Sequence, residues 1–162
     1  ITRMTMDSID SNSLIEGHGL VQPIQSEDIQ NIVAFDKLSF GADRKELLES
    51  LISTCPHRAW MIKQNNAVAG FVLGRSGRKY NQIGPLMALD THLAKVLIIK
   101  MLKESENTPL VVDVLNDKVD LMRWLSAIGF SQQRSFMRMY QHKNPFPGTI
   151  DYQYLICGPE FG

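Results

Sequence analysis

The segment Ile83–Leu102 contains a strand–turn–helix junction of the kind that holds phosphate groups. Its sequence, IGPLMALDTHLAKVLIIKML, predicts a short apolar strand, a turn of one or two residues and an apolar helix. Backbone N–H groups and the positive end of a helix dipole meet at such a junction and attract anions. A phosphate cradle usually contains glycines, because they let the backbone approach the ligand closely. No glycine lies between Asp90 and Lys100, so the junction has the shape of a phosphate site and lacks part of its chemistry.

Asp113 is a carboxylate in an otherwise apolar stretch. It interrupts Leu110–Leu115 (LVVDVL), which predicts a buried strand. Burial disfavours a charged carboxylate unless the group has a partner. Asp113 is therefore either a proton acceptor in a site or a structural carboxylate that is satisfied by Arg138, Arg134 or a backbone cap.

Two arginines are candidates for contacting an acidic ligand group. Arg44 begins a helix, where the dipole disfavours a cation, so its guanidinium is expected to have an anionic partner. Arg75 belongs to the basic loop Gly74–Gln82, which either presents charge to an anionic ligand or is simply solvated. The four histidines show no metal-ligand spacing. Cys55 and Cys157 are expected to remain reduced.

Length and composition indicate one folded domain of ordinary character. The chain has 162 residues, of which 44% are hydrophobic and 21% charged, so it can bury a sizeable core. Lys plus Arg and Asp plus Glu both number 17, and this balance gives no indication of binding to nucleic acid or to an anionic membrane. No apolar run is long enough to span a bilayer, and no secretory signal is recognisable, so we expect a cytoplasmic protein.

Polar stretches divide the chain into three parts. Ile1–Met6 (ITRMTM) alternates like a strand, and its Arg-Met pair recurs in Phe136–Gln141 (FMRMYQ). We therefore expect residues 1–16 to be the last strand of a preceding, similar domain together with a linker. Residues 17–143 then form the main domain, and residues 144–162 form a C-terminal extension.

Hydrophobic periodicity and turn residues predict alternating strands and helices along the main domain. The predicted strands are His18–Ile24, Ala59–Lys63, Ala67–Gly74, Gln82–Leu89, Leu110–Leu115 and Ser135–Gln141. The predicted helices run from Ser26 to Phe40, from Asp43 to about Ile52, from Thr91 to Lys103 and from Asp117 to Ile128. This order predicts an α/β fold, with a sheet of mixed direction and helices on both faces.

Several stretches in this order resemble the GCN5-related N-acetyltransferase (GNAT) superfamily. Trp124–Phe130 (WLSAIGF) is similar to its penultimate helix and Gly-Phe turn, and Ala67–Arg75 (AVAGFVLGR) is similar to its third strand. Ile83–Leu102 takes the place of the coenzyme-binding strand, turn and helix. With Phe35–Leu51 (FDKLSFGADRKELLESL) included, the chain looks most like the carboxy-terminal half of a two-domain acetyltransferase. The resemblance covers Gly19–Tyr140 and implies a mostly antiparallel sheet with a splay between its fourth and fifth strands.

The resemblance further implies that acetyl-CoA is a co-substrate and lies in this splay. Pro85 cannot donate to a strand ladder and Gly84 has no side chain, so strand pairing is expected to break there and to leave an open cleft. The alternative is that the strand simply starts at Leu86. The family's contacts to the pantetheine arm fall on the backbone of Leu86, Met87 and Ala88.

The family's contacts to the coenzyme diphosphate fall on the turn that opens the next helix. They carry over onto Thr91, His92, Leu93 and Ala94, although this stretch lacks the family's Gly-x-Gly pattern. Asp90 would also repel a phosphate at ~4 Å by roughly 4 kcal/mol, at an effective dielectric constant near ~20. We therefore expect coenzyme binding to be weak.

Acetyl transfer to an amine needs a base and an acid. Asp113 is the candidate base. Tyr140 is a candidate acid, because Leu125 stands where much of the family has a tyrosine. The remaining candidate contacts are Asn116 for the coenzyme and Arg44 and Arg75 for the substrate.

Two functions follow from these features. One is an N-acetyltransferase that uses acetyl-CoA, a small-molecule amine acceptor and no metal. The alternative is a non-catalytic, GNAT-like half that packs on a catalytic partner domain and shapes its acceptor site or a homodimer interface.

Overall fold

The computed structural model describes residues 1–8, 21–105, 108–139, 144 and 146–161. The strands are β1 (Thr2–Met6), β2 (Val21–Pro23), β3 (Ala59–Gln64), β4 (Ala67–Arg75), β5 (Asn81–Ala88), β6 (Leu110–Val114), β7 (Ser131–Ser135) and β8 (Gln153–Leu155). The helices are α1 (Ile29–Phe40), α2 (Lys45–Thr54), α3 (Thr91–Lys103) and α4 (Val119–Ala127). Within the described ranges, no helix has the length and apolar character needed to cross a membrane.

The strands form one eight-stranded sheet in the order β2-β3-β4-β5-β8-β6-β1-β7. All neighbouring pairs are antiparallel, and a short parallel contact joins β5 to β6. Helices α3 and α4 supply buried residues to one core cluster, and α1 and α2 supply them to a second. The predicted mixed α/β sheet with helices on both faces is therefore confirmed.

Helix α3 begins and ends at the predicted residues. The Asp90 carboxylate accepts a hydrogen bond from the Leu93 backbone N–H at 2.8 Å, which is a standard N-cap contact. Seven residues of the helix are buried, because its apolar positions face the sheet while Lys100 and Lys103 lie in the last turn. Local signals are sufficient to define this element, and it fixes one end of the candidate site.

Strand β1 lies inside this sheet, between β6 and β7. Met4 and Met6 are buried in the core, so this strand contributes directly to the stability of the domain. Its derivation from a preceding domain stays a prediction, and most of the predicted linker lies outside the described residues.

The predicted last strand, Ser135–Gln141, is wrong in position. The observed strand β7 spans Ser131–Ser135, because β1 pairs with those residues and the chain start exchanges backbone hydrogen bonds with Phe136. Met137 and Met139 are 85% and 84% exposed, so their alternating pattern does not reflect burial in a sheet.

The predicted splay between the fourth and fifth strands of the main domain is confirmed. Strands β5 and β6 pair in parallel only from Asn81 to Ile83, and the pairing ends before the cis Gly84–Pro85 peptide bond. The expectation of an open cleft is wrong. Strand β8, from the segment predicted to be an extension, lies between β5 and β6 and pairs with both.

Gly84 makes this insertion possible. Its φ of +143° is one that side-chain-bearing residues rarely adopt, and a Cβ atom there would lie 2.2 Å from the Ile156 carbonyl oxygen. The backbone after β8 therefore passes against Gly84 with no room for a methyl group.

Gly84→Ala is expected to lower the free energy of unfolding by about 2–3 kcal/mol, since overpacking against rigid backbone is added to backbone strain. Gly74→Ala is the matched control in β4, because its new methyl would meet side chains only, the flexible end of Met101 at 2.6 Å and the Arg58 Cβ at 3.1 Å, and no left-handed φ is involved. Urea denaturation of both variants measures the difference. Equal losses would contradict the close approach at Gly84.

Candidate active site

The gap between β5 and β6 is one strand wide and is filled by the chain's own backbone. Leu155 is the register partner of Leu86 on one side and of Val114 on the other. The Leu115 N–H donates to the Tyr154 carbonyl oxygen at 3.2 Å, and the Ile156 N–H donates to the Asp113 carbonyl oxygen at 3.0 Å. We refer to this gap as the β5–β6 slot.

The residues predicted to contact pantetheine line the β5–β6 slot in part. Leu86 and Met87 face β8, where their register partners are Leu155 and Gln153. Ala88 instead pairs with Gly70 of β4. All three predicted residues are buried, so an external ligand has no access to their backbone while β8 is in place.

Side-chain hydrogen bonds hold β8 and the turn that precedes it. The Gln153 amide donates to the Ser39 and Pro147 carbonyl oxygens at 2.8 and 3.1 Å. The Tyr154 hydroxyl lies 3.2 Å from the Thr91 hydroxyl at the start of α3. Lys118 donates to the carbonyl oxygens of the 3₁₀ turn Ile150–Tyr152 that precedes the strand. The segment therefore reaches from the end of α1 to the start of α3.

The start of α3 offers little positive charge to a phosphate. Its Leu93 N–H is already used by the Asp90 carboxylate, and His92 is exposed while Leu93 and Ala94 are buried. A cavity of about 530 Å³ adjoins this turn. Its charged lining residues are Asp90, Asp117, Asp120, Asp151 and Lys118. Lys118 already pairs with Asp117 at 2.8 Å, so an anion would meet a mainly negative surface there.

A second cavity beside the α3 start is more basic. Its volume is about 500 Å³, and His92, Lys95 and Arg123 line it together with Trp124. Lys95 lies 5.7 Å from the Trp124 ring centroid, and Arg123 donates to Asp120 at 2.9 Å. Lys95, Arg123 and Trp124 come from two helices that meet only in the fold, so the sequence alone does not indicate that they form a group.

Asp113 is fully buried and its carboxylate is fully engaged. Arg3 Nε and Nη2 donate to its two oxygens, both at 2.7 Å, and Gln82 Nε2 donates at 2.8 Å. The hydrogen bond to Asp113 raises the pKa of Arg3. The predicted partners Arg138 and Arg134 are therefore wrong, since the partner cation comes from β1. The geometry favours the structural alternative, and the role of base stays a prediction.

A comparison with known families gives the classification. Residues 32–155 match the family model described as an acetyltransferase (GNAT) domain. The chain belongs to the GNAT family. The matched region runs from α1 through β8, so it includes both walls of the β5–β6 slot and the strand that fills it.

Curated GNAT relatives are distant and longer than this chain. Holothin acyltransferase of Pseudoalteromonas sp. (strain SANK 73390) is 23% identical over 135 residues, which is 83% of this chain and 46% of that protein. The uncharacterized N-acetyltransferase YitH of Bacillus subtilis (strain 168) is 25% identical over 129 residues, which is 80% of this chain and 42% of that protein. The chain spans less than half the length of these two relatives.

Solved structures show the same GNAT fold. A protein from Pyrococcus horikoshii assigned as an acetyltransferase superposes with a TM-score of 0.71 at 22% identity, covering 99% of this chain and 51% of that one. A protein from Novosphingobium aromaticivorans assigned to the GNAT family gives a TM-score of 0.56 at 11% identity, covering 82% and 59%.

The two predicted substrate arginines both have internal partners in this GNAT domain. Arg44 is 7% exposed, binds the Asp36 carboxylate through two nitrogens at 3.0 and 2.6 Å, and lies 3.6 Å from the Phe40 ring centroid. The expectation of an anionic partner is correct, and that partner is Asp36. Arg75 binds Glu160 and lies 3.3 Å from the Gln82 amide oxygen.

The other predicted site residues do not converge on one centre. Asn116 accepts a hydrogen bond from the Thr2 hydroxyl at 3.0 Å and is exposed. Tyr140 lies outside the described residues. Within the described part of the chain, no cluster of His, Cys, Asp and Glu side chains is arranged to hold a metal ion.

The residues that sequence analysis missed lie mainly in the C-terminal segment. The apolar run Tyr154–Cys157 (YLIC) was an available signal for a buried strand. Cys55 and Cys157 are both free and buried, and burial raises the pKa of the Cys157 thiol to about 11. The pattern alone did not indicate that this strand would enter the β5–β6 slot.

Asp113→Asn is expected to lower the free energy of unfolding by about 3 kcal/mol, because it leaves the largely buried Arg3 guanidinium without its charged partner. Asp120→Asn is the matched control, since its pair with Arg123 is exposed and is worth less than about 1 kcal/mol. Urea denaturation at neutral pH measures both changes. Unchanged stability together with lost acetyl transfer would instead identify Asp113 as a catalytic group.

Proposed function

We propose that the protein containing this chain transfers the acetyl group of acetyl-CoA to an amine. The observation that carries the proposal is the break in β5–β6 pairing at Gly84–Pro85, directly beside the start of α3, in a domain that belongs to the GNAT family. A sheet that stops pairing leaves backbone donors and acceptors for an extended ligand. The pantetheine arm of acetyl-CoA is extended and carries two amides, so it suits such a gap.

The reaction itself is a simple displacement. The amine nitrogen attacks the thioester carbonyl carbon, a C–N bond forms, and the C–S bond of the thioester breaks. A base takes the proton that the ammonium loses, and an acid returns a proton to the departing CoA thiolate. Asp113 is the proposed base and Tyr140 the proposed acid.

The proposed binding residues follow from the same correspondence. The pantetheine arm would run along Leu86, Met87 and Ala88, and the diphosphate would lie by Thr91, His92, Leu93 and Ala94, with Asn116 as a further contact. Arg44 and Arg75 are proposed on the acceptor side. The basic cavity of His92, Lys95 and Arg123 supports a phosphate contact on that side of the α3 start.

A second candidate function is favoured by the filling of the β5–β6 slot. In that case this domain is the non-catalytic, carboxy-terminal half of a two-domain acetyltransferase. It would pack on the catalytic half and shape its acceptor site or a homodimer interface. The internal pairing of Asp113 and the carboxylates near the α3 start also favour this role. In both cases we propose a cytoplasmic protein.

Acetyl transfer is tested by incubating the chain with acetyl-CoA and a panel of primary amines while CoA release is followed with a thiol reagent. The primary proposal predicts release that depends on both protein and amine. His92→Ala is expected to raise the KM for acetyl-CoA about fivefold with little change in kcat, as for loss of an exposed contact worth about 1 kcal/mol. His57→Ala is the matched control, since His57 is also exposed and lies outside the proposed site. Absence of release by folded protein with every amine would favour the accessory role.

A further inference from the structure

The β5–β6 slot has room for one extended chain. Its two walls pair only up to Ile83, and beyond that point β8 supplies the backbone partners of both. On the β6 side these contacts use the Leu115 N–H and the Asp113 carbonyl oxygen. Any extended ligand that carries amides would need the same groups, because an unpaired buried N–H or C=O is costly.

We propose that β8 is an internal ligand of the β5–β6 slot, so that acetyl-CoA enters only by displacing it. The inference rests on the proposed function, since it takes acetyl-CoA as the competing ligand. It adds a conformational step that family membership does not contain. The domain then exists in a closed form with β8 inserted and an open form with the slot available.

The burial of the segment fixes the direction of this equilibrium. Gln153, Tyr154, Leu155, Ile156 and Cys157 are at most 4% exposed, so the closed form dominates in the free protein. The apparent Kd for acetyl-CoA equals the intrinsic Kd divided by the fraction of open molecules. Weak apparent binding therefore follows even when the slot itself fits the ligand.

The C-terminal segment also contacts residues outside the slot, at both ends of the segment. At one end, the Tyr154 hydroxyl meets Thr91 at the start of α3. At the other end, Glu160 pairs with Arg75, and Phe161 lines a cavity of about 670 Å³ together with Arg44. Withdrawal of the segment would therefore free the slot, the α3 start and Arg75 in one movement, and it would widen the cavity beside Arg44.

The first experiment locks β8 in place. Val114→Cys with Leu155→Cys puts two thiols on register partners of adjacent antiparallel strands, where Cα separations suit a disulfide. Oxidised glutathione forms the bridge, and peptide mapping distinguishes it from pairing with Cys55 or Cys157. Acetyl-CoA binding is then measured by calorimetry on the oxidised and the reduced forms of the same protein.

The second experiment loosens β8 without changing its apolar side chains. Gln153→Ala combined with Tyr154→Phe removes the amide contacts to Ser39 in α1 and to Pro147, and the hydroxyl contact to Thr91. Gln133→Ala in the exposed strand β7 is the control. Circular dichroism establishes that each variant is folded. Labelling of the Cys157 thiol by a maleimide under native conditions reports how often the segment opens.

The proposal expects at least a tenfold gain in acetyl-CoA affinity and faster Cys157 labelling in the loosened variant, with no change in the control. It also expects that oxidation of the double-cysteine variant lowers its affinity for acetyl-CoA at least tenfold relative to the reduced form. Equal binding by the locked and reduced forms overturns it, as does a folded, loosened variant whose affinity is unchanged. These binding measurements are independent of turnover. If the disulfide does not change acetyl-CoA binding, the proposed acetyl transfer still stands. If no amine is acetylated, the competition between β8 and acetyl-CoA can still be measured.

Discussion

The rest of the sheet depends on the hydrogen bonds that the buried Asp113 carboxylate accepts from its neighbouring strands. Its oxygens accept from Arg3 of β1 and Gln82 of β5, and its backbone oxygen accepts from Ile156 after β8. One residue of β6 therefore contacts the three segments that meet around the splay. A buried carboxylate is tolerated only with such partners, so the positions of β1, β5 and the C-terminal segment are coupled through it.

The coupling extends to the outer part of the domain through a chain of polar contacts. Gln82 donates to Asp113 with its amide nitrogen, and its amide oxygen accepts from Arg75, which in turn binds Glu160. The C-terminal segment is thus connected to the Arg3–Asp113 pair by its backbone within the sheet and by side chains beyond it. The loss of Arg3 is therefore expected to weaken the Arg75–Glu160 pair, because the intervening groups belong to one hydrogen-bonded chain.

The elements that were predicted well from the sequence are those specified by residues within or next to the element itself. Helix α3 has a capping aspartate and an apolar face within thirteen residues, and Pro85 indicates a break in pairing by itself. The partner of Asp113 could not be predicted, because Arg3 is 110 positions away and several arginines were equally suitable. The same holds for β8: its apolar residues indicate a buried strand, but its neighbours follow only from a gap formed by two other strands. Of the candidate site residues on β5, Leu86 and Met87 lie along the β5–β6 slot, and their accessibility depends on a segment elsewhere in the chain.

Under the proposed function, stability and ligand binding compete for the same backbone groups. Strands that diverge within a sheet leave donors and acceptors that must find partners, and these partners come either from a ligand or from the protein. Here Gly84 leaves space for the backbone after β8 to pass. Tyr154 to Cys157 are buried in the core, and this burial stabilises the inserted strand. The gap in which we propose that pantetheine binds is therefore equally suited to a strand. Membership of the family therefore specifies the slot, while the residues after position 148 decide what fills it.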